Sequence, residues 1–572
     1  MKSSMKLITV ILLVLACQLL TGQQAVYKYK IAIIGNPSNA DIRYDESQLT
    51  ALKKLGFNTI QLNIAWGARP ADEPLNLEDI LYVPGIGDKD VINKRMANIK
   101  MRAKLAKAAG FRTLFHFGAP RVDSLYKSLR PDLMDVATEK NSIQKKEVVD
   151  KYVDLLKRLK KEVPELDDIQ VYTFDQEAWI ANEFGNGPTD REIPLNERLP
   201  AFLKTLTKTW AEISPQGMLW WEPWELSAGQ IYACIPSLPE KNFGMFLHSN
   251  IAEVQLTRPV DVWFKNMVRL LAERNIPVVG EVFLSSANEE LEPLGRIAAP
   301  RLVGEEFDAL AQCELLSGVK EYYGTLPDKY DPNLQMAAIK FANPGKTNQE
   351  ALKELAAVFG EKSGILDAWE ATAMGISLFP WDATWRFRSL PKNAAGLQVF
   401  HQWDIAHIMG EVAPSPSWKS TRRGLFMVTE NEVLDPWFFE DIELRCQASS
   451  AKLREAIAIF GNISMKTQIT SPYHDYISGT IFDLRILEQY VTAIRCYCRE
   501  SNLAWMMRKY TKSGKEIPAT LIARFEDIMK TDIANQQKGY VSRDINQTTA
   551  EEMLALFKKN PTSWVNEHLI FQ

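Results

Sequence analysis

The run Asp175-Gln176-Glu177 sets two carboxylates two residues apart, so on an extended strand both face one side. Neighbouring like charges, with Phe174 and Trp179 adding apolar surroundings, raise the pKa of one carboxyl toward neutrality. A proton donor of this kind can protonate a leaving oxygen. A second carboxylate, Glu281, follows Gly280 at the end of another apolar run. Around these two stand further groups at the ends of short apolar segments: Asn63, Trp66, His116, Trp221, Glu222, Trp224, His248, Asn250, Tyr322 and Tyr323. Carboxylates with amides, imidazoles and aromatic rings suit cleavage of a glycosidic bond. One acid protonates the leaving oxygen, and a second group meets the positive charge growing at the anomeric carbon. Aromatic faces stack on sugar rings, and Asn, Asp and His bind hydroxyls. The sequence has no H-E-x-x-H, no G-x-S-x-G elbow and no P-loop. With six His in the chain, a multi-His metal centre is not expected, and neither is an organic cofactor.

These residues need elements that bring them to one place. From Tyr29 onward, short apolar runs alternate with longer amphipathic ones. Strands are predicted at Tyr29–Gly35, Thr59–Gly67, Arg112–Pro120, Ile169–Trp179, Met218–Glu225, Phe243–Asn250, Pro277–Ser285 and Val319–Thr325. Helical patterns fill the intervals, with only a weak one at Ser227–Leu238. Eight alternations over about 300 residues predict a (β/α)₈ barrel, because right-handed crossovers make the sheet parallel and closure at eight removes its edges. The turn after the first strand has one Gly, Gly35, where a dinucleotide fold needs a glycine-rich phosphate loop. All the candidate residues fall at strand ends, on the face where such barrels carry their chemistry.

Beyond Pro327-Asp328 strand patterns fade and helical ones run to the C-terminus, at Gln349–Phe359, Gly364–Leu378, Leu397–Met409, Pro436–Phe460, Ile481–Lys509, Glu516–Gln536 and Glu551–Lys558. The expected organisation is a barrel over residues 25–330 and an α-helical domain over 331–572. The aromatic and basic stretch Phe379–Arg388 is placed between helices, either packing the two parts together or reaching over the barrel mouth. Arg69, Arg121 and Arg258 fall near strand ends, either as structural ion-pair partners or as clamps for an acidic sugar.

The barrel half resembles the glycoside hydrolases abundant in polysaccharide-degrading bacteria. Clan A hydrolases carry an acid/base Glu after Asn on the fourth strand and a nucleophile Glu on the seventh. Gln176-Glu177 and Glu281 occupy those places, with Gln for Asn. The resemblance implies a retaining double displacement, with Glu177 as acid/base, Glu281 as nucleophile, Tyr322 or Tyr323 beside the reaction centre, and His248 binding substrate or orienting Glu281. Asp175-x-Glu177 also resembles the strand-four motif of family 18 chitinases. That likeness implies substrate assistance, with Asp175 orienting the sugar's N-acetyl group and Glu281 only binding. A glycan-binding protein on the same fold, without turnover, is the third reading. An oligosaccharide or polysaccharide is the expected partner in all three.

The 572 residues are 46% hydrophobic and 24% charged, with a net charge of −4. That balance of interspersed signs gives no basic stripe for nucleic acid. Met1–Lys6 is basic, and Leu7–Leu20 is almost wholly apolar but short for a membrane span, so residues 1–23 are expected to be an export segment. Either Cys17 is lipidated after Val14-Leu15-Ala16, or cleavage follows Thr21-Gly22-Gln23. Both place the protein outside the cytoplasm: periplasmic, on the outer membrane as a lipoprotein, or secreted. The other five cysteines form no disulfide pattern and are expected to be buried thiols.

Overall fold

The computed structural model describes residues 27–35, 44–64, 73–120, 142–172, 193–223, 226, 228–248, 260, 262–284, 294–322, 324, 328–360, 363–379, 436–468, 470–540 and 549–568. Eight parallel strands close into a barrel: β1 (Tyr29–Ile33), β2 (Thr59–Gln61), β3 (Arg112–Gly118), β4 (Asp168–Tyr172), β5 (Leu219–Trp221), β6 (Phe243–His248), β7 (Val278–Val282) and β8 (Gly318–Glu321). β1 pairs with both β2 and β8, which completes the ring. Each described strand lies within one residue of a predicted segment and ends sooner.

Helices cover the outside: α1 (Glu46–Lys54), α2 (Lys89–Ala108), α3 (Lys146–Glu162), α4 (Leu195–Ile213), α5 (Ala228–Cys234), α6 (Val262–Ala272) and α7 (Pro300–Ala311). Their starts follow local chemistry. Asp45 and Asp88 each accept two backbone N–H groups of the first turn of α1 and α2, satisfying donors that no helix can pair internally. Past the last turn of α2, Gly110 takes φ of +76°, the left-handed conformation that stops a helix and turns the chain into β3. The weak pattern after β5 resolves into α5 and a 3₁₀ turn, Ile235–Ser237.

Side chains alternate between the two sides of the barrel wall. Tyr29, Ile31, Leu114, Trp220, Phe246 and Val279 form a closed apolar cluster distinct from the main core. These are inward positions, and they fill the lower barrel. Trp220 stacks on Phe246 at 4.7 Å and meets Tyr29 edge-on at 4.9 Å. Gly244 makes room for this plug, since a Cβ there would lie 2.3 Å from the Trp220 ring. At the lower rim Arg112 pairs with buried Asp168, which also accepts the Met218 N–H. The opposite face of each strand packs outward into the main core beneath the helices.

The C-terminal half is helical: α8 (Pro332–Ala342), α9 (Asn348–Ala356), α10 (Ile365–Leu378), α11 (Pro436–Lys466), α12 (Pro472–Lys512), α13 (Ala519–Gln536), α14 (Ala550–Lys559) and α15 (Pro561–His568). Two of these, α8 and α15, have no counterpart in the predicted helices. α8 is short and opens with Asp331 as N-cap and Pro332 at the first position, a start the periodicity alone does not mark. α12 begins nine residues before the predicted Ile481, at Ser471-Pro472. The predicted helix Leu397–Met409 lies outside the described residues.

Specific bonds tie this half to the barrel. Asn333 on α8 accepts the Ala299 N–H and donates to the Ile297 carbonyl. Asp483 on α12 accepts the N–H groups of Gly295 and Arg296. One hydrophobic core runs without a break from the outer barrel wall into these helices. The five described cysteines are buried and unpaired. No described helix is long and apolar enough to cross a membrane.

Candidate active site

Above the apolar plug, the next inward positions are polar. Two residues on from Val279, Trp220, Phe246 and Leu114 stand Glu281, Glu222, His248 and His116. Gln170 and Tyr172 take the same face of β4, and Lys320 that of β8, with Tyr322 two residues on. Buried polar groups in a protein interior are costly unless they satisfy one another, so a layer of them needs a reason. Their position toward the C-terminal ends of the strands supplies one.

Strand register sets the contacts. β6 and β7 place His248 beside Glu281, and β7 and β8 place Glu281 beside Lys320. The Lys320 ammonium donates to Glu281 Oε1 at 2.7 Å, and neither side chain is exposed. Glu281 Oε2 lies 3.5 Å from His248 Nδ1, and His248 Nε2 lies 3.9 Å from Glu222 Oε1. Glu222 Oε2 accepts the Gln170 amide and lies 3.6 Å from His116 Nε2. Thus Lys320, Glu281, His248, Glu222 and His116 form one continuous line across the barrel. Rings brace it. Tyr322 meets His248 edge-on at 4.8 Å, and Tyr172 tilts against His116 at 4.3 Å.

Burial lowers the pKa of both imidazoles, His248 to about 4 and His116 well below its ordinary value. For each, loss of water is the largest cause. Glu281 partly opposes it at His248, and the Lys320 charge reinforces it at both rings. Both imidazoles are therefore neutral at pH 7. The unfolded chain binds protons at these sites near pH 6.5, and the folded chain binds them only at lower pH. The contribution of these two imidazoles to stability should accordingly be constant above about pH 6.5 and decline as pH falls toward 4. Urea unfolding of wild type and His248→Gln at pH 7 and 5 checks this. The variant should lose less on acidification, and an equal loss would remove His248 from the account.

The supports of the layer are also legible. Asn63 donates to the Pro74 and His116 carbonyls and accepts the His116 N–H, so its whole amide locks the end of β2 to β3. It positions His116. Arg102 and Glu73 form a buried pair that grips the Leu62 carbonyl and Ile64 N–H on either side of Asn63. Glu321 faces the other side of β8 and accepts the Leu284 N–H, fixing the end of β7 behind Glu281.

Of the predicted site residues, the structure brings together His116, Glu222, His248, Glu281 and Tyr322. Trp221 is buried in the outer core between wall and helices, one residue out of phase with Glu222. Trp66, Asp175, Glu177, Trp179, Trp224, Asn250 and Tyr323 lie outside the described residues, as do Arg69, Arg121, Arg258 and Pro380–Arg388. Gln170, Tyr172 and Lys320 were not singled out by sequence. The signal was present: counting back by two from Tyr322 reaches Lys320.

Among the described residues, one set has donor atoms close enough to share a metal ion: Glu222, His248 and Glu281, all within 4.8 Å of one another. Their types fit a divalent cation, but the Lys320 ammonium already meets Glu281. A second cation beside that carboxylate would face a like charge, so we assign them no metal.

No family model matches the chain, and no curated protein matches it. Its structural neighbours are glycoside hydrolases. A GH138 enzyme targeting pectin rhamnogalacturonan II superposes with a TM-score of 0.57 at 12% identity, covering 96% of this chain and 84% of that one. This likeness takes in the helical half as well as the barrel, and it establishes the fold. An O-GlcNAc hydrolase of Thermobaculum terrenum aligns at a TM-score of 0.41 and 11% identity, over 91% of this chain and 100% of that one. A Prevotella bryantii endo-β-mannanase/endo-β-glucanase aligns at 0.35 and 13%, over 56% and 49%.

Proposed function

We propose that this chain is a glycoside hydrolase that cleaves O-glycosidic bonds with retention, using Glu281 as nucleophile and Glu177 as acid/base. The observation that carries the reading is the buried line Lys320–Glu281–His248–Glu222 above the apolar plug. A carboxylate held between a fixed cation and a neutral imidazole is an anion placed to meet positive charge at an anomeric carbon. A low-dielectric setting strengthens that attraction, because little water competes. Glu177 follows β4 in sequence, and its role rests on the motif Asp175-Gln176-Glu177. Fold likeness to a pectin-targeting enzyme makes pectic fragments a first substrate class to try.

A panel of aryl-glycosides and polysaccharide fragments, pectic ones included, tests the reading. We expect hydrolysis of at least one member and first-formed product of unchanged anomeric configuration by proton NMR. Inverted product would exclude the double displacement, and saturable binding without product would make the protein a glycan binder. We further propose that the protein is exported, on the strength of Met1–Leu20. Fractionation and a palmitate label on Cys17 separate a lipoprotein from a cleaved, secreted form.

A further inference from the structure

Lysine is almost never fully buried without a partner, and β8 is an unusual place for one. Lys320 has no exposed surface. Its ammonium lies 5.3 Å from the centre of the Phe246 ring and 5.9 Å from that of Tyr322, where ring faces attract a cation. Its ion-pair partner is Glu281, which the register of β7 and β8 sets beside it. Among the described residues, Lys320 from β8, His248 from β6 and Glu222 after β5 face Glu281 from the packed strands. His116 on β3 is farther along the line and feels the Lys320 charge. Two carboxylate oxygens are thus distinguished. Oε1 is held by Lys320, and Oε2 is turned toward His248.

We propose that Lys320 is a positioning residue for Glu281, holding Oε1 so that Oε2 attacks, and remaining on the ester carbonyl through the covalent stage. This rests on the reading of Glu281 as nucleophile. In the first half-reaction an electron pair on Oε2 forms the bond to the anomeric carbon. The bond to the leaving oxygen breaks, and that oxygen takes the proton of Glu177. Oε1 becomes the carbonyl oxygen of the ester and keeps its bond from Lys320. In the second half-reaction a water oxygen attacks the anomeric carbon, and its proton passes to Glu177. The carbon–Oε2 bond breaks, and its electron pair returns to the carboxylate opposite the ammonium. A fixed cation opposes loss of negative charge from Glu281 in the first step and favours its return in the second. Lys320 therefore assists deglycosylation most.

Lys320→Met separates this role from simple packing. Loss of an adjacent opposite charge should move the acid limb of the kcat/KM profile up by about one pH unit or more. On the plateau above that limb, kcat should fall by roughly tenfold more than kcat/KM, with a burst of leaving group as the ester accumulates. Lys320→Arg should bring the acid limb back toward wild type. An unshifted profile, with kcat and kcat/KM reduced alike, would overturn the proposal. Should Lys320→Met not fold, the double variant Lys320→Met/Glu281→Gln removes both charges and should restore folding; continued misfolding of the double variant would equally overturn it. Failure of the wild type to hydrolyse anything in the substrate panel is a different result, and removes the glycosidase reading itself.

Discussion

Glu281→Ala should lose turnover by roughly 10⁴-fold or more, since on the proposed mechanism it removes the group that forms the bond to the anomeric carbon. Azide should then restore activity, and the glycosyl azide formed should have inverted configuration. On the proposed mechanism azide has two reasons to enter. It supplies the missing nucleophile, and it is an anion beside a buried ammonium that has lost its partner. That second point separates stability from chemistry. Leaving Lys320 buried and unpaired should destabilise the fold by about 3–5 kcal/mol, so melting must be measured beside kinetics. Azide should raise the melting temperature of Glu281→Ala and leave that of wild type unchanged. Wild-type turnover in this variant would shift the reading to substrate assistance. A folded, inactive variant that azide neither stabilises nor rescues would deny Glu281 the nucleophile's role.

The second large effect is expected at Glu177. Glu177→Gln keeps the shape and removes the proton. A general acid contributes about 10²- to 10⁴-fold, and more as the leaving group becomes a poorer one. Hydrolysis of natural linkages should therefore fall by that order, while activated aryl-glycosides lose far less in the first half-reaction. Glycan affinity measured by calorimetry should be unchanged. An unaltered rate on a poor leaving group would transfer the acid/base role elsewhere, and Glu222 would be the next carboxylate to test.

The barrel was legible because its strands are short, apolar and separated by helices with marked ends. Asp45, Asp88 and Gly110 are local signals that act through two or three residues, and local signals survive in a sequence. Strand ends were harder to place, because polar and aromatic residues continue past the last ladder bond. The site was half legible. His116, Glu222, His248, Glu281 and Tyr322 are conspicuous types at strand ends, and the structure gathers them. Lys320 was missed because lysine in an amphipathic strand ordinarily marks the wet face. Only closure of the ring, which brings β8 against β7, shows it paired. Trp221 was expected at the site, and its neighbour Trp220 was not. The two-residue period of a strand sends one into the plug and the other beneath the helices. The helix α8 was missed although Asp331-Pro332 is a local start signal of the same kind as Asp45 and Asp88.

The apolar plug has a consequence for traffic. With Trp220 stacked on Phe246 and Arg112 paired with Asp168 beneath, the described lower part of the barrel is filled. On the proposed double displacement, substrate, attacking water and released sugar would share the other face, and a water would reach the ester along the path the departing aglycone has vacated. An acceptor sugar that fills that path first would be joined to the ester, and the residues lining the rim would then decide between cutting a glycan and lengthening it.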